Sequence, residues 1–202
     1  MYFPDLMELQ TYNLPSTWEE TEPDVMRVVL KKESNEYNSI YTKFVTAMKG
    51  HYTRIIKIER VQNEQWYRQY VTFKKDFKKR FNEDTERKLY HGCTQTSADL
   101  IIGSFFNRTF AGINGIVYGK GAYFSTEATY SHGYALPNSN GEQCIFVVSV
   151  LVGRTTLGNS SMNTPPKGFD ATTDNKHIFV TYHDAQAYDE YLITYKLSND
   201  KF

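Results

Sequence analysis

Residues Cys144 to Val152 read CIFVVSVLV, with Ser149 the lone polar position. A run this short, this apolar and this rich in β-branched residues suits a strand covered on both faces, so it belongs in the middle of a sheet. Two further strand-like runs follow, Ile178-Phe179-Val180-Thr181-Tyr182 and Tyr191-Leu192-Ile193-Thr194-Tyr195. Earlier strands are predicted at 25–30, around Ile56 and Ile58, which alternate with Lys57 and Glu59 as a half-buried strand does, and at Lys88-Leu89-Tyr90-His91-Gly92.

Between these strands the spacing turns helical. Ser34 offers an N-cap, and Tyr37, Ile40, Tyr41, Phe44, Val45 and Met48 then recur at three and four residues until Gly50. Trp66, Tyr70, Phe73, Phe77 and Phe81 predict a second helix over 63–81. Its outer face carries Lys74, Lys75, Lys78, Lys79 and Arg80, a solvated face first and a surface for an anionic partner second. A weaker helix is expected over 96–105 around Leu100, Ile101 and Ile102. Residues 107–118 and 158–176, rich in glycine and polar residues, read as long loops, and 137–142 as a turn. Residues 1–24, with Pro4, Pro15 and Pro23, read as an irregular approach from which Trp18 packs back onto the domain. Helices early and short strands late describe an α+β domain.

A length of 202 residues suits one such domain, and 16 Tyr with 13 Phe supply a large core. Basic and acidic residues balance at 23 each, which argues against a chain built to hold nucleic acid or an acidic membrane surface. Cys93 and Cys144 are the only cysteines, too few for a disulfide framework or a zinc site. With no signal peptide and no long apolar run, the expectation is a soluble protein in a reducing, intracellular setting.

The chemistry concentrates in Tyr118–Tyr134, YGKGAYFSTEATYSHGY. Gly119 and Gly121 flank Lys120, where glycine permits positive φ or a close backbone approach to a ligand. Ala122-Tyr123-Phe124 reads as a short buried strand, and Ser131 and Tyr134 are spaced as on one helical turn. Two aromatic rings and a hydroxyl around a glycine turn make a slot for a flat polar ring. Two phosphate-binding motifs fail on this stretch. A P-loop needs glycine where Asn114 stands and Ser or Thr where Gly121 stands; a dinucleotide fingerprint needs glycine at Phe124 and a surrounding βαβ unit. The histidines at 51, 91, 132, 177 and 183 have no metal-ligand spacing.

LYHG (Leu89–Gly92), YGKGAYF (Tyr118–Phe124), Ser131 with Tyr134, PNSNG (Pro137–Gly141), and IFVTYHD with EYLITY near the end occur in an order that resembles the catalytic domain of the poly(ADP-ribose) polymerase family. The segments NLPSTW and IERVQNEQWYRQY resemble its mono-ADP-ribosyltransferase branch, the intracellular one that includes macrodomain-bearing members. The likeness runs from about Asn13 to Lys196, so residues 1–12 are expected to be an N-terminal extension and 13–202 the catalytic domain.

The resemblance implies an ADP-ribosyltransferase fold, with two facing, mainly antiparallel sheets, flanking helices and NAD+ in the cleft between. It implies that Gly92 offers its backbone N–H and C=O to the nicotinamide carboxamide, and Ser131 its hydroxyl. Tyr134 would stack on the ring, Tyr123 close the other side, and His91 hydrogen-bond ribose hydroxyls. The loop before Tyr118 would cover the donor, and 158–176 would border the acceptor. A tryptophan at Gly92 is expected to plug the slot while leaving the fold intact. No metal is implied, and the partner is a protein acceptor, the chain itself included.

Polymer-forming members carry a glutamate as the third member of a His–Tyr–Glu set. The matching position here, alongside His91 and Tyr123, holds Ile178, which can neither take a proton nor accept a hydrogen bond. The expected product is therefore one transferred ADP-ribose unit rather than a chain. Glu190 is nearby in sequence but belongs to a different motif. A catalytically weak or inactive module that binds NAD+ or ADP-ribose is the alternative; inactive members usually lack the histidine, which His91 retains. A toxin-like transferase would normally keep the glutamate.

Overall fold

The computed structural model describes residues 13–22, 26–49, 53–106 and 115–197. Among the described residues, nine strands run in chain order as β1 (Arg27–Val29), β2 (Thr53–Val61), β3 (Glu86–Cys93), β4 (Ala122–Ser125), β5 (Gln143–Leu151), β6 (Thr155–Leu157), β7 (Ala171–Thr173), β8 (Ile178–Thr181) and β9 (Ala187–Leu197). Four α-helices accompany them among the described residues, α1 (Asn35–Ala47), α2 (Glu64–Phe81), α3 (Gln95–Ser104) and α4 (Ala128–His132), with a short 3-10 turn at Asp184–Gln186. The strand order is β1-β2-β9-β5-β3-β4-β8-β7-β6. β5 is an interior strand, antiparallel to β9 on one side and β3 on the other. Ile145, Phe146, Val148 and Val150 are fully buried, on both faces, as the continuous apolar run predicts.

The architecture is α+β, with one mixed, mostly antiparallel sheet in place of the two separate sheets expected. The two halves meet at β3 and β4, which share a single paired position, Tyr90 with Ser125. β4 is only four residues long and turns away from β3, so β4-β8-β7-β6 forms a wing rather than a detached sheet. The last pair, β6 with β7, is parallel.

Residues 158–176 do not form an uninterrupted loop: β7 lies within them, and β6 just before. Both strands are three residues long and mostly threonine and alanine, too short to leave a periodic signal. Nor is β2 half-buried. A register shift between Ile55 and Lys57 sets Ile56 outside the pairing, and Ile58, Glu59, Arg60 and Val61 are all buried. Burying Arg60 is tolerated because its guanidinium reaches Glu36, Glu19 and Gln62.

The helices are set by their caps. The Ser34 hydroxyl accepts from the Tyr37 N–H at 3.1 Å, and α1 buries Tyr37 and Phe44 against Ile58, Ile145 and Tyr195. Asn63 caps α2, and Asn82 ends it in the left-handed region at φ 54°. α2 lays Tyr70 and Phe77 on Leu151 and Tyr188, and Trp18 packs on Tyr67 and Tyr188. On the basic face of α2, Lys74 pairs with Glu86, and Arg80 with Asp76 and Asp170. α3 covers the other face with Ala98, Ile101 and Ile102. The stop at Gly50, the 1–12 extension and residues 107–114 of the first long loop fall outside the described residues.

Candidate active site

The wing, the β3 end, α3 and α4 enclose a cavity of about 580 Å³, within the 300–1,000 Å³ typical of ligand sites. His91, Gly92, Tyr123, Ser131, Tyr134 and Ile178 all line it. Residues far apart in sequence meet here because β3 is the hinge of the sheet. Its His91 and Gly92 lie between α4 on one side and β4 on the other.

His91 is enclosed by Phe106 and Phe124, with ring centroids 5.0 Å and 5.8 Å away. Its Nδ1 lies 2.8 Å from the Tyr123 carbonyl oxygen. A carbonyl only accepts, so Nδ1 carries the proton and Nε2 keeps a lone pair. Burial holds the imidazole below its ordinary pKa, with the Tyr123 bond a partial offset, so the ring is neutral at pH 7.

Gly92 has no room for a side chain. A Cβ there would sit 1.9 Å from the Ser131 carbonyl oxygen and 3.2 Å from the Ala135 nitrogen. The expectation that tryptophan at Gly92 plugs the slot and spares the fold is therefore overturned: any side chain drives into the backbone of α4. Glycine lets α4 dock directly on β3. The docking brings Ser131, which is 3% exposed, under β3, where its hydroxyl donates to the Tyr90 carbonyl at 3.1 Å. α4 ends at His132, and Tyr134 follows in a tight turn, its N–H donating to the Ser131 carbonyl at 3.0 Å.

Tyr123 is fixed by the glycine turn beside it. Its hydroxyl donates to the Gly119 carbonyl at 2.8 Å and accepts from the Tyr118 N–H at 2.9 Å. Gly119 sits at φ +127°, and a Cβ there would fall 1.8 Å from the Tyr182 hydroxyl. The turn thus needs glycine for its own conformation and for packing on Tyr182, just after β8. Tyr134 is 37% exposed at the cavity rim.

Ile178 is buried with Val180 and Tyr182, and Tyr118, Tyr123 and Tyr130 pack against the cluster. Its side chain brings no polar atom to the cavity. Glu190 is bound to Lys88 and Ser149 and does not line the cavity. The carboxylate that does line it is Asp174. Burial pushes the Asp174 carboxyl up, but the N–H groups of Ile178, Lys176 and His177, all donating to Oδ1, hold it below the usual range. A carboxylate so occupied is a loop anchor rather than a base.

Sequence reading passed over Tyr130, His177 and Asp174. Tyr130 stands one helical turn before Tyr134, and their hydroxyls are 3.0 Å apart. The His177 ring meets Tyr130 edge-on at 4.7 Å, and its Nδ1 lies 3.2 Å from Ser125 Oγ. The i, i+4 spacing of the two tyrosines could have flagged the first; nothing local flags His177, which the β7–β8 turn brings in. Among the described residues, no three of His, Cys, Asp and Glu come together to hold a metal ion.

A sequence profile of the poly(ADP-ribose) polymerase catalytic domain matches residues 34–176. The human protein named protein mono-ADP-ribosyltransferase PARP14 is 36% identical over 199 residues, covering 91% of this chain and 11% of the relative. The mouse protein mono-ADP-ribosyltransferase PARP12 is 30% identical, covering 93% of this chain and 28% of its own length. The mouse PARP11 of the same designation is 28% identical, with coverage of 96% and 68%. This chain therefore spans a tenth to a third of the length of most of these relatives. With a matched profile over more than half of its residues, on an α+β sheet whose hinge strand gathers the LYHG and YSHGY motifs around one cavity, the chain belongs to the poly(ADP-ribose) polymerase catalytic-domain family.

Proposed function

We propose that this chain transfers one ADP-ribose unit from NAD+ to a protein acceptor and releases nicotinamide. The observation that carries the reading is the convergence of His91, Gly92, Tyr123, Ser131 and Tyr134 on one cavity whose sixth predicted member, Ile178, is apolar. The cavity residues suit the donor. Gly92 presents backbone without a side chain, and Ser131, Tyr134 and Tyr123 line the same cavity. In this reading Gly92 and Ser131 hold the carboxamide, the two tyrosines bracket the pyridinium, and His91 Nε2 accepts from a ribose hydroxyl. The sheet's two halves flank the donor, and residues 158–170 border the acceptor.

Holding the ring in one orientation aligns the bond between its nitrogen and ribose C1′. That bond breaks with its electron pair on nicotinamide, which leaves neutral and needs no protonation. An acceptor atom bonds to C1′, and any proton it carries passes to water. The transition state resembles the oxocarbenium ion of glycoside hydrolysis, so orientation and hydrogen bonding do most of the work. The relatives' names are those of protein mono-ADP-ribosyltransferases, and the missing carboxylate at Ile178 fits a single transfer. No described helix is long and apolar enough to cross a membrane. The two unpaired thiols and the relatives suit an intracellular site of action, with residues 13–202 as the catalytic unit.

Release of nicotinamide from NAD+ by the purified chain tests this. Wild type is expected to turn over, and His91→Ala to lose about a hundredfold or more. Equal turnover by the two would remove His91 from the site; no release by wild type would defeat the transferase reading.

A further inference from the structure

Removing the glutamate leaves open what polarises the donor ribose. Three side chains pack against the Ile178 cluster: Tyr118, Tyr123 and Tyr130. The Tyr123 hydroxyl is committed to the glycine turn on both its donor and acceptor sides. The Tyr118 carbonyl and N–H are held by Thr172 and Tyr123, which ties that residue to the wing. Tyr130 differs. Tyr130 lines the cavity, and among the described residues the hydrogen-bond partner of its hydroxyl is the Tyr134 hydroxyl at 3.0 Å. Its ring is braced edge-on by His177, which is itself placed by Ser125 and lies 3.7 Å from Asp174.

Resting on the transferase reading above, we propose that Tyr130 is a further positioning residue for the reaction, its hydroxyl accepting a hydrogen bond from the donor ribose where other family members place a carboxylate. A phenol hydroxyl can donate to Tyr134 and still accept from a sugar hydroxyl through its remaining lone pair. Burial and the Tyr134 bond both raise the Tyr130 pKa, so it acts as a neutral group. Hydrogen bonds to the sugar hydroxyl beside the reacting carbon strengthen as positive charge develops. The contribution therefore falls on the chemical step more than on NAD+ affinity. A neutral acceptor polarises less than a carboxylate, which suits one transfer to a good acceptor and not the repeated use of a ribose hydroxyl as nucleophile. The same bond orders Tyr134, so the ring-stacking tyrosine in the turn after α4 and the ribose-facing one on α4 are set as a unit.

The experiment is steady-state nicotinamide release by wild type, Tyr130→Phe, Tyr134→Phe and the double variant. Tyr130→Phe is expected to lower kcat about tenfold with KM for NAD+ within about twofold. Phenylalanine keeps the ring at 134, so the double variant should lose little more than Tyr130→Phe alone, because the two hydroxyls act together. Wild-type kcat in Tyr130→Phe, or a raised KM with kcat unchanged, overturns the assignment while leaving the transferase reading intact. Should Tyr130→Phe fold poorly by its melting temperature, Tyr130→Leu, which also lacks the hydroxyl, carries the same kcat-against-KM readout with the same expected loss. A wild-type chain that releases no nicotinamide takes both readings down together.

Discussion

Asp189 lies on β9 beside the register shift against β5, 2% exposed, with its Oδ2 lacking any hydrogen-bond partner among the described residues. Burial pushes its carboxyl up to about 8, against an ordinary 3.8. The folded chain therefore keeps a proton there that the unfolded chain has already released above pH 4. Where the folded state binds more protons, stability falls as pH rises, so the loss runs from about pH 4 to about pH 8 and then levels off. Asp189→Asn keeps the shape and never ionises. Its urea midpoint at pH 9 should exceed that of wild type by the equivalent of a few kcal/mol, with a smaller gap at pH 5. Equal gaps at the two pH values would show that Asp189 does not carry this dependence. Neither the burial of Asp189 nor that of Arg60 is legible in the sequence, because strand alternation predicts an outward side chain at such charged positions. Tertiary cover decides otherwise. The His91 tautomer is equally hidden, since the carbonyl that sets it belongs to Tyr123 on another strand.

At the scale of elements, the contact of α4 with β3 is what builds the site. Gly92 is the point where the two backbones touch, with the Ser131 carbonyl occupying the space of a Cβ. Gly92→Ala is expected to cost more than the ~1–3 kcal/mol of ordinary overpacking, and to lower the melting temperature by about 5 °C or more. It should also weaken NAD+ protection, because Ser131 and Tyr134 move with α4. An alanine variant that melts and binds like wild type would mean α4 is not seated on β3 as described. The elements readable from sequence are those that announce themselves locally. α1 and α2 carry side-chain caps and a 3.6-residue stripe, and β5 is a long apolar run. β6 and β7 announce nothing, since three residues cannot show a period and their parallel pairing depends on the excursion through 158–170.

At the scale of the whole molecule, one sheet with a one-residue seam between β3 and β4 puts an imidazole, a glycine edge and a tyrosine-rich turn around a single cavity. The motifs were legible because their residues are unusual in composition and order; the seam was not, because it rests on how far β4 diverges from its neighbour. We propose that this cavity delivers one ADP-ribose unit per acceptor site, with Ile178 in place of a carboxylate. Ile178→Glu supplies a carboxylate but not an acceptor side fitted to an ADP-ribose chain, so it is not expected to create a polymerase. The most direct test is intact-mass spectrometry of the chain and a protein acceptor after incubation with NAD+, for wild type and Ile178→Glu. Discrete additions of single ADP-ribose units, each on a separate side chain when mapped, are expected in wild type and variant alike. A ladder of linked units on one side chain of the wild type would contradict it.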